Sequence, residues 1–464
     1  MISPPNKSVL ILAYSWPPDA FVGAVRSAKL AKQLAGQGWK PIVLTVQKKY
    51  YEQVDPAEAD GPTEARVFRT RCLRHPRELY VWAKAFFYKL AGRQREVQES
   101  VRRGVISTRD RNLGRKAAAK RLVLSVLYTP DEYWGWLPFA VARSIVILRR
   151  YRINTIISTG PPFTAHLIGL TLKMLYPISW VADFRDPWSP NPQKPDELQS
   201  RLSNWLDHRF EAAVVRRADR VVCVTPAMTE AYRKRYPALP AEKWATISNG
   251  FDAEEFRSLR AGGRPREFTI SYLGSIEYSR NPEPLLKAMG ELLKEGAMAR
   301  EDVRIKLIGK CRYAVGLSVE SMIQEYGLEG VVQLIDLLPR PDALREMVKS
   351  DVLVLLANDQ PLQVPGKAYE YLAAGPAILV LTGEGATADL IRKVGGGAIV
   401  GPADAAGIKQ VLKKWHGAFK SSLSSGASQQ RRPLGVIDEY EWQHLGARYS
   451  ALLEDGGAKS GRSS

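Results

Sequence analysis

Val364-Pro-Gly-Lys-Ala-Tyr-Glu-Tyr-Leu-Ala-Ala-Gly375 packs a helix start, a charged face and a helix stop into twelve residues. Pro365 and Gly366 make a turn that opens a helix, and Gly375 ends it. Lys367 and Glu370 stand three residues apart, on one helical face. The apolar run Ala377-Ile-Leu-Val-Leu-Thr382 follows and reads as a strand. A helix start carrying a lysine suits phosphate, because backbone N–H groups and the helix dipole point at it. A carboxylate one turn further in can accept hydrogen bonds from ribose hydroxyls. Taken alone, the same residues describe a proline-started helix with a solvated Lys–Glu pair.

They are not alone. Upstream, strands are expected near 268–273, 303–308, 331–335 and 351–356, and downstream near 397–400, with helices between them and another over about 404–416. The first half alternates in the same way. Strand Val9–Ala13 leads through a loop containing Gly23 to a helix over Ala24–Gly36 and a strand over Pro41–Val46. Strands over Thr155–Ser158, Ser179–Ala182, Arg220–Val224 and Trp244–Ile247 follow, with helices near 136–151, Phe163–Leu175 and Asp196–Arg217. Such alternation means two doubly wound, mainly parallel α/β domains. The polar segment Ser258–Glu267 reads as a hinge, Gly417–Pro433 as a loop, and Ile437–Leu453 as a last amphipathic helix.

At 464 residues the chain is too long for one ordinary core. Its formal net charge of +19 calls for an anionic partner. Much of that charge is local: Arg66 to Arg121 holds 17 Lys/Arg against four acidic residues. Aromatics in this stretch cluster only near its start, at Tyr80, Trp82, Phe86, Phe87 and Tyr88, which suits a membrane surface better than nucleic acid. The lone cysteines Cys72, Cys223 and Cys311 fit neither a disulfide framework nor a zinc site, and match a reducing cytoplasm. Five histidines show no metal-ligand spacing, so no metal is expected. Residues 1–8 are polar and Val9–Ala13 is too short for a signal-peptide core; no apolar run reaches membrane-spanning length. A soluble or peripheral protein is the expectation.

Candidate chemistry gathers after strands. In the second half these residues are Gly274, Arg280 and Asn281, then Gly309, then Gly366, Lys367 and Glu370, with Gly383 and Gly385 beyond. Glycines let backbone approach a ligand, and Arg280 and Lys367 supply charge for a diphosphate. The first half lacks GxGxxG, which argues against a dinucleotide domain. It offers Gly23, with Arg26 one turn into the helix, and the cluster Trp180-Val-Ala-Asp183-Phe-Arg185-Asp186-Pro-Trp188. A structural Asp–Arg pair is the bland account of that cluster. Thr159–His166 is a loop-to-helix start, another anion-friendly place, though His166 alone suits a satisfied core histidine equally well.

Together these residues resemble family 4 of the glycosyltransferases, retaining enzymes of the GT-B fold. The carriers are Pro365–Gly375, Tyr272-Leu-Gly274 with Arg280, Ile247-Ser-Asn-Gly-Phe-Asp252 and Ala182–Trp188. The resemblance implies two Rossmann-like domains facing a central crevice, with a C-terminal helix crossing back to the first domain. It implies an acceptor-side domain over 1–250 with a basic helical insert at about 66–128, a nucleotide-sugar domain over 251–433, a helix over 434–455 and a disordered tail from 456. The implied donor is a nucleoside-diphosphate sugar, bound by Gly274, Arg280, Asn281, Gly309, Gly366, Lys367 and Glu370. Gly23, Arg26, His166, Asp183, Arg185 and Asp186 fall on the acceptor side, and Arg280, Lys367 and Asp183 carry catalysis. No cofactor beyond the donor is implied. The expected acceptor is a carbohydrate or lipid-linked hydroxyl, and the expected place is the inner face of the cytoplasmic membrane, in surface polysaccharide or glycolipid assembly. Two features depart from the wider family: Leu362 stands where a first glutamate is usual, and only one basic residue, Arg280, follows the first strand of the second half. The rival readings are a sugar-nucleotide epimerase on the same fold and a non-enzymatic binder of anionic polymers; no carboxylate–histidine set for the first is identifiable.

Overall fold

The computed structural model describes residues 7–51, 53–54, 61–73, 115–190, 194–195, 198–259, 266–276, 280–358, 360–425 and 434–460. The chain divides into two compact units. The first holds Met1–Val224, Thr229–Ile247 and Gly446–Ser464, and the second holds Thr225–Met228 and Ser248–Leu445.

The first unit is built on a parallel seven-stranded sheet. Its strands are β1 (Ser8–Leu12), β2 (Lys40–Val46), β3 (Arg66–Thr70), β4 (Thr155–Gly160), β5 (Ser179–Phe184), β6 (Arg220–Cys223) and β7 (Trp244–Thr246), in the order β3-β2-β1-β4-β5-β6-β7. β1, β4 and β5 are buried along their whole length, which is why they read as continuous apolar runs rather than alternating ones. The order reverses between β1 and β4, and doubly wound sheets bind ligands outside the strand ends at such a point. Helix Val22–Gly36 follows β1, and β5 ends at Phe184, so Gly23 and Arg185 both lie at that end of the sheet.

The second unit has a parallel six-stranded sheet: β8 (Phe268–Leu273), β9 (Val303–Ile308), β12 (Val332–Ile335), β13 (Val352–Leu356), β14 (Ala377–Leu381) and β15 (Gly397–Val400), ordered β12-β9-β8-β13-β14-β15. β10 (Tyr313–Ala314) and β11 (Leu317–Ser318) form a separate small hairpin. Alternate residues of β8 serve opposite cores. Phe268, Ile270 and Tyr272 pack with Leu286, Met289 and Leu412. Leu273 packs with Ile308, Leu355, Tyr371 and Leu372 on the other face. The reversal lies between β8 and β13, which places Gly274 and the chain leading to Lys367 at one sheet end.

Several expected boundaries move. β3 occupies the start of the segment read as a helical insert, because Arg66–Thr70 adds an edge to β2. Of the helical insert expected at about 66–128, residues 74–114 lie outside the described residues, and a helix spans Arg115–Leu127. The helix expected from Asp196 starts at Arg201, where Ser200 and Ser203 form a reciprocal capping box. The presumed loop after Gly417 is helical to Ser424. The last helix is split: a short 3₁₀ turn covers Leu434–Tyr440, and the α-helix runs Trp442–Ser460, into the segment read as a tail. The interruption has a tertiary cause. Phe251 N–H donates to Tyr440 C=O and Trp442 N–H donates to Phe251 C=O, so the backbone at 440–442 pairs with a neighbouring segment instead of continuing the helix.

Candidate functional site

The second unit brings Gly274, Gly309, Arg280 and Lys367 together. Gly274 and Gly309 have φ of +131° and +116°, a region only glycine enters without strain. A Cβ on Gly309 would lie 2.5 Å from Gly274 O, and one on Gly274 would lie 3.1 Å from Lys367 Nζ. These two glycines therefore let the loops after β8 and β9 close over the lysine. Helix Lys367–Ala374 starts at Gly366 without a side-chain cap and stops at Gly375 in the left-handed conformation. Lys367 Nζ donates to Leu273 C=O at 3.1 Å and stands 3.8 Å from the centre of the Tyr272 ring. Tyr371 fixes the same strand end by accepting the Leu273 N–H at 2.9 Å.

The electrostatics of this cluster are unbalanced. Burial, then the positive charge of Arg280, push the Lys367 amine well below its ordinary range. Among the described residues Arg280 donates to Ser275 C=O, at 3.2 Å. Neither cation has an ion-pair partner among the described residues. Glu370 does have one: Arg340 lies 2.9 Å from it and 2.7 Å from Glu255. Burial opposes the charge on Arg340, but the two carboxylates hold it above its ordinary value. Asn281 is turned toward its own chain, accepting the Glu283 N–H at 3.0 Å and starting the helix Glu283–Lys294.

In the first unit the expected residues separate into two groups. Arg26 and Asp183 form a buried ion pair, with side chains 4% and 0% exposed. Arg26 Nε and Nη2 donate to the two carboxylate oxygens at 3.1 and 2.8 Å. Thr159 Oγ and Tyr449 OH add donations at 2.8 and 2.7 Å, and Tyr449 in turn accepts from Arg26. Arg26 also donates to Ile247 C=O. Asp183 is thus saturated by four donors. Burial raises its pKa, but the charge of Arg26 and the hydrogen bonds from Arg26, Tyr449 and Thr159 together outweigh burial and hold the carboxyl below its ordinary value. These contacts tie helix Val22–Gly36 and Tyr449 to β5.

His166 lies in the core of the first unit. It is fully buried, stacked on Phe184 with ring centres 4.4 Å apart, and its Nδ1 meets Ser158 Oγ at 2.8 Å. Burial drives its pKa down to about 3, so it is a neutral core residue. The helix start near Thr159–His166 is not open to an outside anion either. Asp131 already fills it, accepting from Thr164 N–H at 2.8 Å and Thr164 Oγ at 2.6 Å. Arg185 and Gly23 do meet: a Cβ on Gly23 would fall 2.8 Å from Arg185 Cζ.

Residues 23–250 match the Glycosyl transferase 4-like domain, and residues 256–417 match Glycosyl transferases group 1. The chain is a GT-B glycosyltransferase of the family 4 type. Solved structures share its fold. The sucrose-phosphate synthase of Thermosynechococcus elongatus is 16% identical, with a TM-score of 0.63 over 97% of this chain and 99% of that one. HepE of Anabaena in complex with UDP-glucose is 13% identical, with a TM-score of 0.58 over 97% and 99%. The E. coli trehalose-phosphate synthase with bound UDP-2-fluoro glucose is 13% identical, with a TM-score of 0.60 over 96% and 98%. Comparison with curated proteins gives no match by sequence.

Sequence reasoning missed several residues of this glycosyltransferase's clusters. Arg340 and Glu255 come from separate elements, and their sequence signal is no more than a charge. Tyr449 lies 266 residues from the Asp183 it binds, beyond any local pattern. Among the described residues no group of three or more His, Cys, Asp and Glu is placed to hold a metal, and no helix is long and apolar enough to cross a membrane.

Proposed function

We propose that this glycosyltransferase takes a sugar from a nucleoside diphosphate and passes it to an acceptor hydroxyl with retention at the anomeric carbon. One observation carries the reading. Lys367 and Arg280 are held close enough to repel, without a carboxylate partner for either among the described residues. A diphosphate between them turns that repulsion into attraction, and more so as charge grows on the leaving group. Glu370, beside Arg340, accepts hydrogen bonds from the ribose hydroxyls. The acceptor oxygen attacks the anomeric carbon, the bond to the diphosphate breaks, and a diphosphate oxygen takes the hydroxyl proton. With two cations in place the reaction needs no metal ion. Neighbouring folds are consistent: HepE is solved with UDP-glucose.

The proposed acceptor is lipid-linked, at an anionic membrane surface on the cytoplasmic side. The aromatic cluster Tyr80, Trp82, Phe86, Phe87 and Tyr88, which suits a membrane surface, lies outside the described residues. Beside it in sequence, helix Arg115–Leu127 leaves Leu122 and Val123 exposed, and helix Arg201–Arg217 leaves Leu202 and Trp205 exposed. Ser125 and Ser200 join these two segments at 2.7 Å, and Arg209 flanks Trp205. Exposed apolar groups with an arginine beside them suit a headgroup region.

A thermal-shift panel of nucleoside diphosphates and their sugars tests the donor assignment. A base-selective stabilisation lost in Lys367→Ala supports it; a protein indifferent to every member excludes it.

A further inference from the structure

Arg340 stands where a helix least favours a cation. It is the first residue of the helix Arg340–Lys349, and the dipole makes that end positive. The acid of the same turn, Asp342, pairs with Arg345. The carboxylates that answer Arg340 come from two other elements. One is Glu255, on the short helix Ala253–Arg257, and the other is Glu370, in the first turn of Lys367–Ala374. The three helices pack on one another through a core holding Phe256, Leu344, Met347, Tyr369 and Leu372. Tertiary packing therefore places these three charges together, although no local pattern asks for them.

The two carboxylates hold the guanidinium differently. Glu255 takes it at two points: Arg340 Nε donates to Oε1 at 3.3 Å and Nη2 donates to Oε2 at 2.7 Å. Such a fork fixes the plane of the guanidinium. Glu370 meets the same Nη2 through its Oε1, at 2.9 Å. One cation thus serves two carboxylates, and the trio keeps a net negative charge. Glu370 is a side chain with three rotatable bonds, and left alone it would lose rotamer freedom on meeting a ligand. Its contact with Arg340 meets that cost in advance.

We infer that Arg340 is a positioning residue for ribose recognition, and that Glu255 keeps Arg340 from closing on Glu370. The inference rests on the proposed donor reading, in which Glu370 meets the ribose hydroxyls. A guanidinium offered a single carboxylate takes both of its oxygens in a fork. With Glu255 filling that fork, Arg340 orients Glu370 through one oxygen and leaves the other for a pair of vicinal hydroxyls. Neither Arg340 nor Glu255 need touch the nucleotide. Their effect is on selectivity for ribose over a sugar lacking those hydroxyls, because only a fixed carboxylate rewards two hydroxyls at once.

The test titrates the full chain with UDP, GDP and ADP, and with the 2′,3′-dideoxy form of each. The wild type should prefer the ribose form of its nucleotide by about tenfold or more, the scale of hydrogen bonds to a charged group. Glu370→Ala should erase that preference. Arg340→Met should cut it to about threefold or less, with much less change in affinity for the dideoxy form, and Arg340→Lys, which keeps the charge without the fork, should fall between. Glu255→Gln should also cut the preference, because the released guanidinium covers both oxygens of Glu370. Adding Arg340→Met to Glu255→Gln should then make it no worse. If Arg340→Met does not fold, Arg340→Lys and Glu255→Gln carry the test. Equal losses for ribose and dideoxy forms, in step with a falling melting temperature, would mark Arg340 as structural and overturn the inference. A ribose preference that survives the Arg340 and Glu255 variants but not Glu370→Ala overturns it too, and leaves the donor reading intact. If no nucleoside diphosphate binds the wild type, or the preference outlasts Glu370→Ala, the donor reading fails and takes this inference with it.

Discussion

Asp183→Asn separates a structural tie from a reacting group more sharply than any other single change. The carboxylate accepts from Arg26 Nε at 3.1 Å, Arg26 Nη2 at 2.8 Å, Thr159 at 2.8 Å and Tyr449 at 2.7 Å. An asparagine keeps one acceptor oxygen and puts an NH₂ in place of the other. The hydroxyls of Thr159 and Tyr449 can rotate to accept from that NH₂, but the Arg26 N–H groups cannot. Arg26 is left charged with its side chain 4% exposed. Removing one partner of such a pair costs about 3–5 kcal/mol. For a unit of this size, a shift of roughly 2–4 °C per kcal/mol puts the fall in the first unit's melting temperature at roughly 6–20 °C. Arg26→Met alone should cost a similar amount, and the double variant should regain at least half of the loss, since no buried charge remains. Differential scanning calorimetry reads all three. The pH dependence has a definite sign. The folded-state pKa of Asp183 is depressed, so its contribution is present above the ordinary carboxylate range and is lost as pH falls through the folded value. An Asp183→Asn protein that melts like wild type but has lost transfer would refute the argument and return Asp183 to the reaction.

Lys367→Met should abolish nucleoside-diphosphate binding yet raise the melting point by about 0.5–2 kcal/mol equivalent, as removal of a repelled, half-buried cation allows; calorimetric titration and melting read the two effects. Because the Lys367 pKa is lowered, donor affinity should weaken with rising pH below the range of an ordinary lysine, while ligand-free stability rises over the same window. His166, at about 3 in the folded state against an ordinary 6.5, binds its proton only on unfolding, so stability should decline as pH drops from 6.5 toward 3, and His166→Phe should flatten that slope in acid melts. Transfer activity should survive EDTA, and a loss restored by magnesium or manganese would contradict the two-cation account. Anionic liposomes should sediment the protein in a salt-sensitive way, less so with Trp205→Ala, and equal recovery with neutral vesicles removes membrane docking.

Both α/β units were legible in the chain because parallel strands buried on two faces leave uninterrupted apolar runs, as in Val9–Leu12 and Val352–Leu356. The helix Lys367–Ala374 was legible for a local reason as well. Proline, glycine and the periodic apolar residues act within one or two turns, and Gly375 adopts the left-handed stop its position called for. Elements whose form depends on a partner were not legible. β3 exists because β2 offers it an edge, and the final helix breaks because Phe251 captures the backbone on either side of Glu441. The same division runs through the candidate site. Sequence placed Gly274, Gly309, Arg280 and Lys367 at strand ends, since loops after parallel strands collect at one edge. Sequence also set Asp183 and Arg185 in one cluster and Arg26 apart, at the start of the first helix, but which arginine takes the aspartate is a matter of angstroms. Tertiary packing gave Asp183 to Arg26 and left Arg185 unpaired, because charge pairing depends on distance in space and burial, and neither is written in the order of residues along the chain.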